Sequence, residues 1–347
     1  MPIVSFMPYF PDQRVDLSIA GFNVWNWWLH RERLISSTSI RAYLDRYFGL
    51  YRRTNGDGEQ RIAIISREGL PTFPEEAQFA EREIGRFASA LMASHLFELP
   101  VDRDIAWAIC SSDNFTALYQ AFNPASGDPA IAFTFGSYIR TMVTGSWGHL
   151  TFTTPQFMPD LGPCRPQKAI LSNLAALCSD VRDPANRLFR SLEWLRLAFA
   201  NYEGLQPPVR IVAMCTAFET LLDFPDHEKG RHFAEAVNGY LPRNSLPRTT
   251  RALGPRRVAV SDSEVGWWCR DFYDFRSRIV HGEEIRPEEF RSPRGVEQLR
   301  IALSIFEECI RGLFVELGMM REEERGMEFL YSHLREQFGL PNSVWDP

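Results

Sequence analysis

Lysine is almost missing from this sequence. Of 38 basic residues only Lys168 and Lys229 are lysine, and the other 36 are arginine. A bias that strong is a compositional habit of the chain, so arginine enrichment alone says nothing about phosphate binding. Positive charge is not in excess either: the formal net charge is -6, which disfavours general coating of nucleic acid while leaving room for a local basic site. Paired cysteines are absent. Cys110, Cys164, Cys178, Cys215, Cys269 and Cys309 all stand more than four residues apart, whereas zinc sites bring ligands in close pairs. Buried free thiols are expected instead, as for Cys215 in VAMCTAF. No run of eighteen apolar residues occurs, and MPIVSFMPYFPDQ has no basic leader region. These absences give the expectation of a cytoplasmic chain without a membrane span. P-loop, Gly-rich dinucleotide and GxSxG patterns are also lacking, and no cofactor or metal is expected.

What is present is a change of texture along 347 residues, enough for two domains. SIRAYLDRYFGLYRR, residues 39–53, places Ile40, Tyr43, Leu44, Tyr47, Phe48 and Tyr51 on one helical face. A second helix is predicted over 75–97, after Pro74. IAIIS, DIAWAIC, FTALYQAF, AIAFTFGSYIRTM and HLTFTTPQF are short, β-branched and aromatic, and read as strands of a mostly antiparallel sheet. The prolines and glycine of PDLGPCRP, residues 159–166, then interrupt the pattern. The expected organisation is an α+β domain over 1–165, followed by an all-α helical bundle over 166–340.

In the second part, 185–204 is amphipathic. VRIVAMCTAFETLLDF, residues 209–224, is apolar nearly all round and predicts a buried central helix. Further helices are expected over 264–281, from Ser292-Pro293 to Gly318, and near 322–338. Between the 209–224 and 264–281 helices, RNSLPRTTRALGPRR, residues 243–257, holds five arginines and no acid. It reads as a solvated basic loop, or else as one in which Arg248, Arg251, Arg256 and Arg257 meet RNA phosphates.

One stretch concentrates the chemistry: WWCRDFYDFRSRIVHGEE, residues 267–284. Arg276 and His281 close a helix, and Gly282 follows. At the helical repeat the two lie about 140° apart around the axis, while Ser277 and His281 share a face. Cations at a helix C-terminus with a glycine cap have an ordinary explanation, stabilisation by the helix dipole. The angle means that a compact catalytic pair needs a second helix or a second chain.

DFYDFRSRIVHG resembles the signature of the HEPN superfamily, an arginine, four to six residues, then a histidine, and in particular its Apea-like branch. AMCTAFETLL resembles that branch's Ala-Leu-Glu-Xaa-Leu-Leu helix, with Phe218 where leucine is usual, and ANRLFRSLEWLRLAFANYEG resembles its first helix. The resemblance covers about residues 185–318. It implies a HEPN bundle and a metal-independent endoribonuclease of antiviral or toxin systems. The alternative is a non-catalytic HEPN module binding RNA, a nucleotide or a protein. Arg276 and His281 match the motif residues and Ser277 the polar position after the arginine. Histidine suits removal of the 2′-hydroxyl proton, and arginine offers a planar fork to phosphate oxygens. The resemblance also implies a homodimer whose cleft lies across the two-fold axis. Trp267, Trp268, Phe272, Tyr273 and Phe275 give the helix more aromatic area than one buried face needs, in keeping with an interface.

Glu219, in an otherwise apolar helix, needs a partner. Arg276 or Arg278 is the expected one, which would aim Arg276 into the cleft. His227 and His232 stand beside Asp226 and Glu228, but no cysteine or third histidine is near, so metal is not expected. Trp25, Trp27 and Trp28 suit core or interface better than base stacking. The role of residues 1–165 is left as a sensor or partner-binding domain, open to a phage-derived or protein trigger.

Overall fold

Short apolar runs in the first part of the chain pair edge to edge, and long amphipathic runs in the second part coil. The computed structural model describes residues 4–7, 16–34, 38, 41, 42, 45, 63–67, 74–97, 118–120, 131–135, 139–143, 167–199, 206–241, 248–253, 258–292 and 297–325. The chain divides into two compact units, Met1–Ala185 with Phe199–Glu203, and Asn186–Ala198 with Gly204–Pro347. The division falls later in the chain than the proline-rich 159–166 stretch.

In the first unit the described strands are β1 (Val4–Met7), β2 (Asp16–Ile19), β3 (Phe22–Asn26), β4 (Ala63–Arg67), β5 (Leu118–Gln120), β6 (Ile131–Phe135) and β7 (Ile139–Val143). They form one sheet in the order β2-β3-β4-β1-β5-β6-β7, and every pairing is antiparallel. Helix α1 (Trp27–Leu34) follows β3, and α2 (Pro74–Leu96) lies between β4 and β5 in sequence. Alternation along β3 buries Phe22, Val24 and Asn26. Phe22 stacks on Phe87 of α2, with centroids 4.3 Å apart, and Ile84, Leu91 and Met92 extend the same buried helix face. Helix α3 (Lys168–Ala176) packs on α2. Gln167 N donates to Ser94 O at 2.9 Å, and Arg86 Nη1 donates to Asp180 O at 2.6 Å. The helix expected over 39–53 lies largely outside the described residues, as do the strands expected at 104–110 and 149–157.

The second unit is mainly helical. Its elements are α4 (Asp183–Phe199, mostly in this unit), α5 (Pro207–Leu222), α6 (Lys229–Tyr240), α7 (Glu264–Val280) and α8 (Gln298–Glu316). Helix α5 begins with two prolines and buries Ile211, Met214, Cys215, Phe218 and Leu221. Phe218 meets Phe233 of α6 at 4.9 Å and Phe306 of α8 at 5.2 Å, so α5 is the central helix its composition predicts. Each such ring contact adds about 0.5–1.5 kcal/mol to its burial. Cys178, Cys215, Cys269 and Cys309 are buried and form no disulfide, and burial pushes the Cys178, Cys215 and Cys269 thiols up.

Two expectations need correction. The unit is not all-α: β8 (Arg248–Leu253) and β9 (Val258–Ser263) form an antiparallel hairpin. Thr249, Thr250, Val258 and Val260 favour extended backbone, and a segment defined by its arginines and prolines concealed them. The last long helix also begins at Gln298 rather than at Ser292-Pro293. Pro287–Phe290 makes a 3-10 turn, and Arg291 then pairs with Glu297 in an isolated antiparallel bridge. The helix expected near 322–338 lies mostly outside the described residues, whose last element is the 3-10 turn Glu322–Arg325. Among the described residues no helix is long and apolar enough to cross a membrane.

Candidate functional site

Helix α7 starts from a polar knot. Ser263 Oγ accepts from Gly266 N at 2.9 Å and donates to Asn238 Oδ1 at 2.8 Å. Buried Asp262 accepts from Asn238 Nδ2 and from Arg270 Nε, each at 3.0 Å. Satisfying a buried carboxylate in this way fixes the helix start against α6 and the hairpin. Gly266 lies so close to Asp262 that any Cβ there would overlap it.

The aromatic surplus of α7 is used inside its own unit. Trp267 lies under the hairpin, donating Nε1 to Thr249 O at 3.0 Å, with Arg251 Cζ 4.8 Å above its ring. Trp268 stacks on Phe272 and donates to Gln298 Oε1 at 2.8 Å. Phe275 meets Phe290 edge-on at 5.3 Å. The hairpin, unforeseen in the sequence, covers the second aromatic face, so these rings carry no argument for an interface.

At the far end, α7 closes on a glycine cap. Gly282 has φ +76, Gly282 N donates to Ile279 O at 3.1 Å, and Glu283 N donates to Arg278 O at 3.0 Å. This is the Schellman arrangement, with His281 at the C-cap. His281 is exposed, and among the described residues its ring has no hydrogen-bond partner. Ser277, half-buried, accepts His281 N through its carbonyl at 3.0 Å. Arg278 binds Glu283 at 3.0 Å and Glu289 at 2.6 Å, which ties the segment after His281 back to the helix.

Glu219 gathers the other groups. Its Oε1 accepts from the Tyr273 hydroxyl at 2.8 Å and from Lys229 Nζ at 3.3 Å, and Arg276 Nη2 lies 4.0 Å from the same oxygen. Burial and the Glu219 carboxylate push the tyrosine up to about 12, so it remains a donor. Arg276 Cζ sits 5.5 Å over the Tyr273 ring, and its Nε has no hydrogen-bond partner. Of the two partners expected for Glu219, Arg276 is beside it, and Arg278 is committed to Glu283 and Glu289. Arg276 and His281 belong to the same end of α7, and no hydrogen bond joins them.

The proposed phosphate contacts fare unequally. Arg248 Nη2 donates to Ser261 O at 2.9 Å, and Arg251 Nη1 pairs with Asp271 Oδ2 at 3.1 Å. Arg256 and Arg257 lie outside the described residues. The His227 and His232 rings meet edge-on at 4.9 Å, and among the described residues no three His, Cys, Asp or Glu side chains gather to hold a metal. In the first unit Trp27 is buried and bonded to Asp45, while Arg33 covers Trp25 at 4.6 Å. The residue missed in the sequence is Lys229. Its rarity as a lysine was the available signal. No family model, curated protein or solved structure matches the chain.

Proposed function

We propose that the helical unit is a HEPN-type module and that the protein is a metal-independent endoribonuclease of a defence or toxin system. The supporting observation is Arg276: a partly exposed guanidinium whose ion pair with Glu219 is loose and whose buried Nε makes no hydrogen bond, in the last turns of the helix that exposes His281 at its cap. In the reaction His281 takes the proton of the 2′-hydroxyl, and the oxygen attacks the adjacent phosphorus. The bond from phosphorus to the 5′-oxygen breaks, and that oxygen leaves with a proton. Arg276 carries the charge of the pentavalent stage. The products are a 2′,3′-cyclic phosphate and a 5′-hydroxyl end, and DNA, lacking the nucleophile, is spared. The active unit is a homodimer, with the first unit receiving a trigger.

The exposed His281 ring, with no orienting partner among the described residues, favours a second reading, a non-catalytic module that binds RNA, a nucleotide or a protein partner. Incubation of the purified protein with single-stranded RNA and total tRNA in EDTA decides between them. Cleavage with cyclic phosphate ends supports the nuclease. Binding without cleavage supports the module, and cleavage only with a divalent ion overturns the metal-free mechanism.

A further inference from the structure

A chain that places arginine at 36 of 38 basic positions places lysine at 229, where the donor stands between two carboxylates. Lys229 Nζ reaches Asp226 Oδ1 at 2.9 Å and Glu219 Oε1 at 3.3 Å. A compact ammonium suits that position better than a planar guanidinium fork. The same Glu219 oxygen has Arg276 Nη2 at 4.0 Å, so two cations from two helices, α6 and α7, share one carboxylate oxygen. We propose that Lys229 and Arg276 together form a binding site for an RNA phosphodiester group, with Lys229 as a second cation on the phosphate that Arg276 engages. Its catalytic part, charge stabilisation in the pentavalent stage, rests on the ribonuclease reading, whereas the binding part does not.

Availability of the two cations supports the site. The Asp226 side chain is 97% exposed, and an ion pair of that kind contributes only about 0–1 kcal/mol, so a phosphate displaces it easily. The ammonium has three donors, of which Asp226 and Glu219 occupy two. On the arginine, the side chain keeps 22% of its surface exposed and the contact with Glu219 is long, while the buried Nε makes no hydrogen bond. Tyr273 satisfies Glu219 with a short hydrogen bond, so the carboxylate holds the two cations in place without needing either one fully. The Asp226 carboxylate, with Glu219 beside it, pulls the Lys229 amine up, so it carries its charge at neutral pH.

The scarcity of lysine makes the test direct. Full-length protein labelled with isotopic lysine has two side-chain NMR signals, from Lys168 and Lys229, and Lys168→Arg assigns them. A 2′-O-methyl RNA hexamer binds as RNA but lacks the nucleophile for cleavage. On its titration the Lys229 signal is expected to shift saturably while that of exposed Lys168 stays still, and Arg276→Ala is expected to weaken that binding about tenfold or more. A Lys229 signal that does not move at millimolar hexamer overturns the site. RNA cleavage assays separate this from the wider reading. If wild type cleaves and Lys229 does not shift, the nuclease stands and the second cation falls. If Lys229 shifts and no RNA is cleaved, the phosphodiester site stands and the nuclease falls. If the nuclease is active, Lys229→Ala lowers kcat more than it raises KM and Lys229→Arg restores part of it. A tether that merely joined two helices would leave the hexamer-induced shift absent.

Discussion

Arg276 Nη2 stands 4.0 Å from Glu219 Oε1, an oxygen that already accepts the Tyr273 hydroxyl at 2.8 Å. The arginine is therefore aimed by a carboxylate that does not depend on it.

On the proposed ribonuclease reading, loss of either motif residue is expected to act on rate and not on folding. Arg276→Ala and His281→Ala should each lower kcat by roughly 10²–10⁴-fold, the usual range for a positioned acid–base group, while keeping the circular dichroism spectrum of wild type. Single-turnover cleavage of a labelled RNA measures this. A His281→Ala protein that cuts at the wild-type rate would remove His281 from the reaction.

Glu219→Ala should destabilise the helical unit more than His281→Ala. The first change strands the Tyr273 hydroxyl and removes the carboxylate beside Arg276, while Lys229 keeps Asp226, and unsatisfied partly buried groups cost about 1–3 kcal/mol. The second alters an exposed side chain, where changes usually stay within about 0.5 kcal/mol. Urea unfolding of the two variants compares them, and equal midpoints would contradict the shared-acceptor arrangement.

Gly266→Ala should destabilise the start of α7. A methyl group there would overlap Asp262 and come within 2.9 Å of Asn238 Nδ2, and overpacking of this kind typically costs about 1–3 kcal/mol. Hydrogen exchange of the α7 amides locates the effect. Gly239→Ala, inside α6 at a site with no heavy atom within 4 Å of the added carbon, serves as the control without steric overlap and should not destabilise.

Acid should weaken the first unit through His95. Burial lowers its pKa from 6.5 to about 4, against a smaller opposing effect of its hydrogen bond to Leu91 O. The folded chain thus keeps the ring neutral down to about pH 4, while the unfolded chain takes up a proton near pH 6.5. Stability from this group is complete above pH 6.5 and falls as pH drops through the window to 4, by up to about 3 kcal/mol. Urea midpoints at pH 7 and pH 4.5 should differ less in His95→Leu than in wild type, and an unchanged difference would assign the acid sensitivity to other groups.

Light scattering is expected to give twice the 40.0 kDa chain mass. Mixing inactive Arg276→Ala and His281→Ala proteins should recover activity after subunit exchange if one groove takes one residue from each chain. A monomer that cuts RNA would rule out the shared groove.

The sequence by itself determined the elements that depend on local periodicity. The apolar surround of 209–224 made a central helix, Ser263 and Gly282 bounded α7, and short aromatic runs made an antiparallel sheet, because burial pattern and capping act within a few residues. What the tertiary structure decided were pairings between distant segments. The β8–β9 hairpin, the cover it gives Trp267, and the joining of Lys229, Tyr273 and Arg276 on one Glu219 oxygen depend on how α5, α6 and α7 pack. Spacing along one helix placed Arg276 and His281 about 140° apart. Only the neighbouring helices fixed which carboxylate and which second cation the arginine meets, because side chains meet across helices through packing rather than through sequence distance.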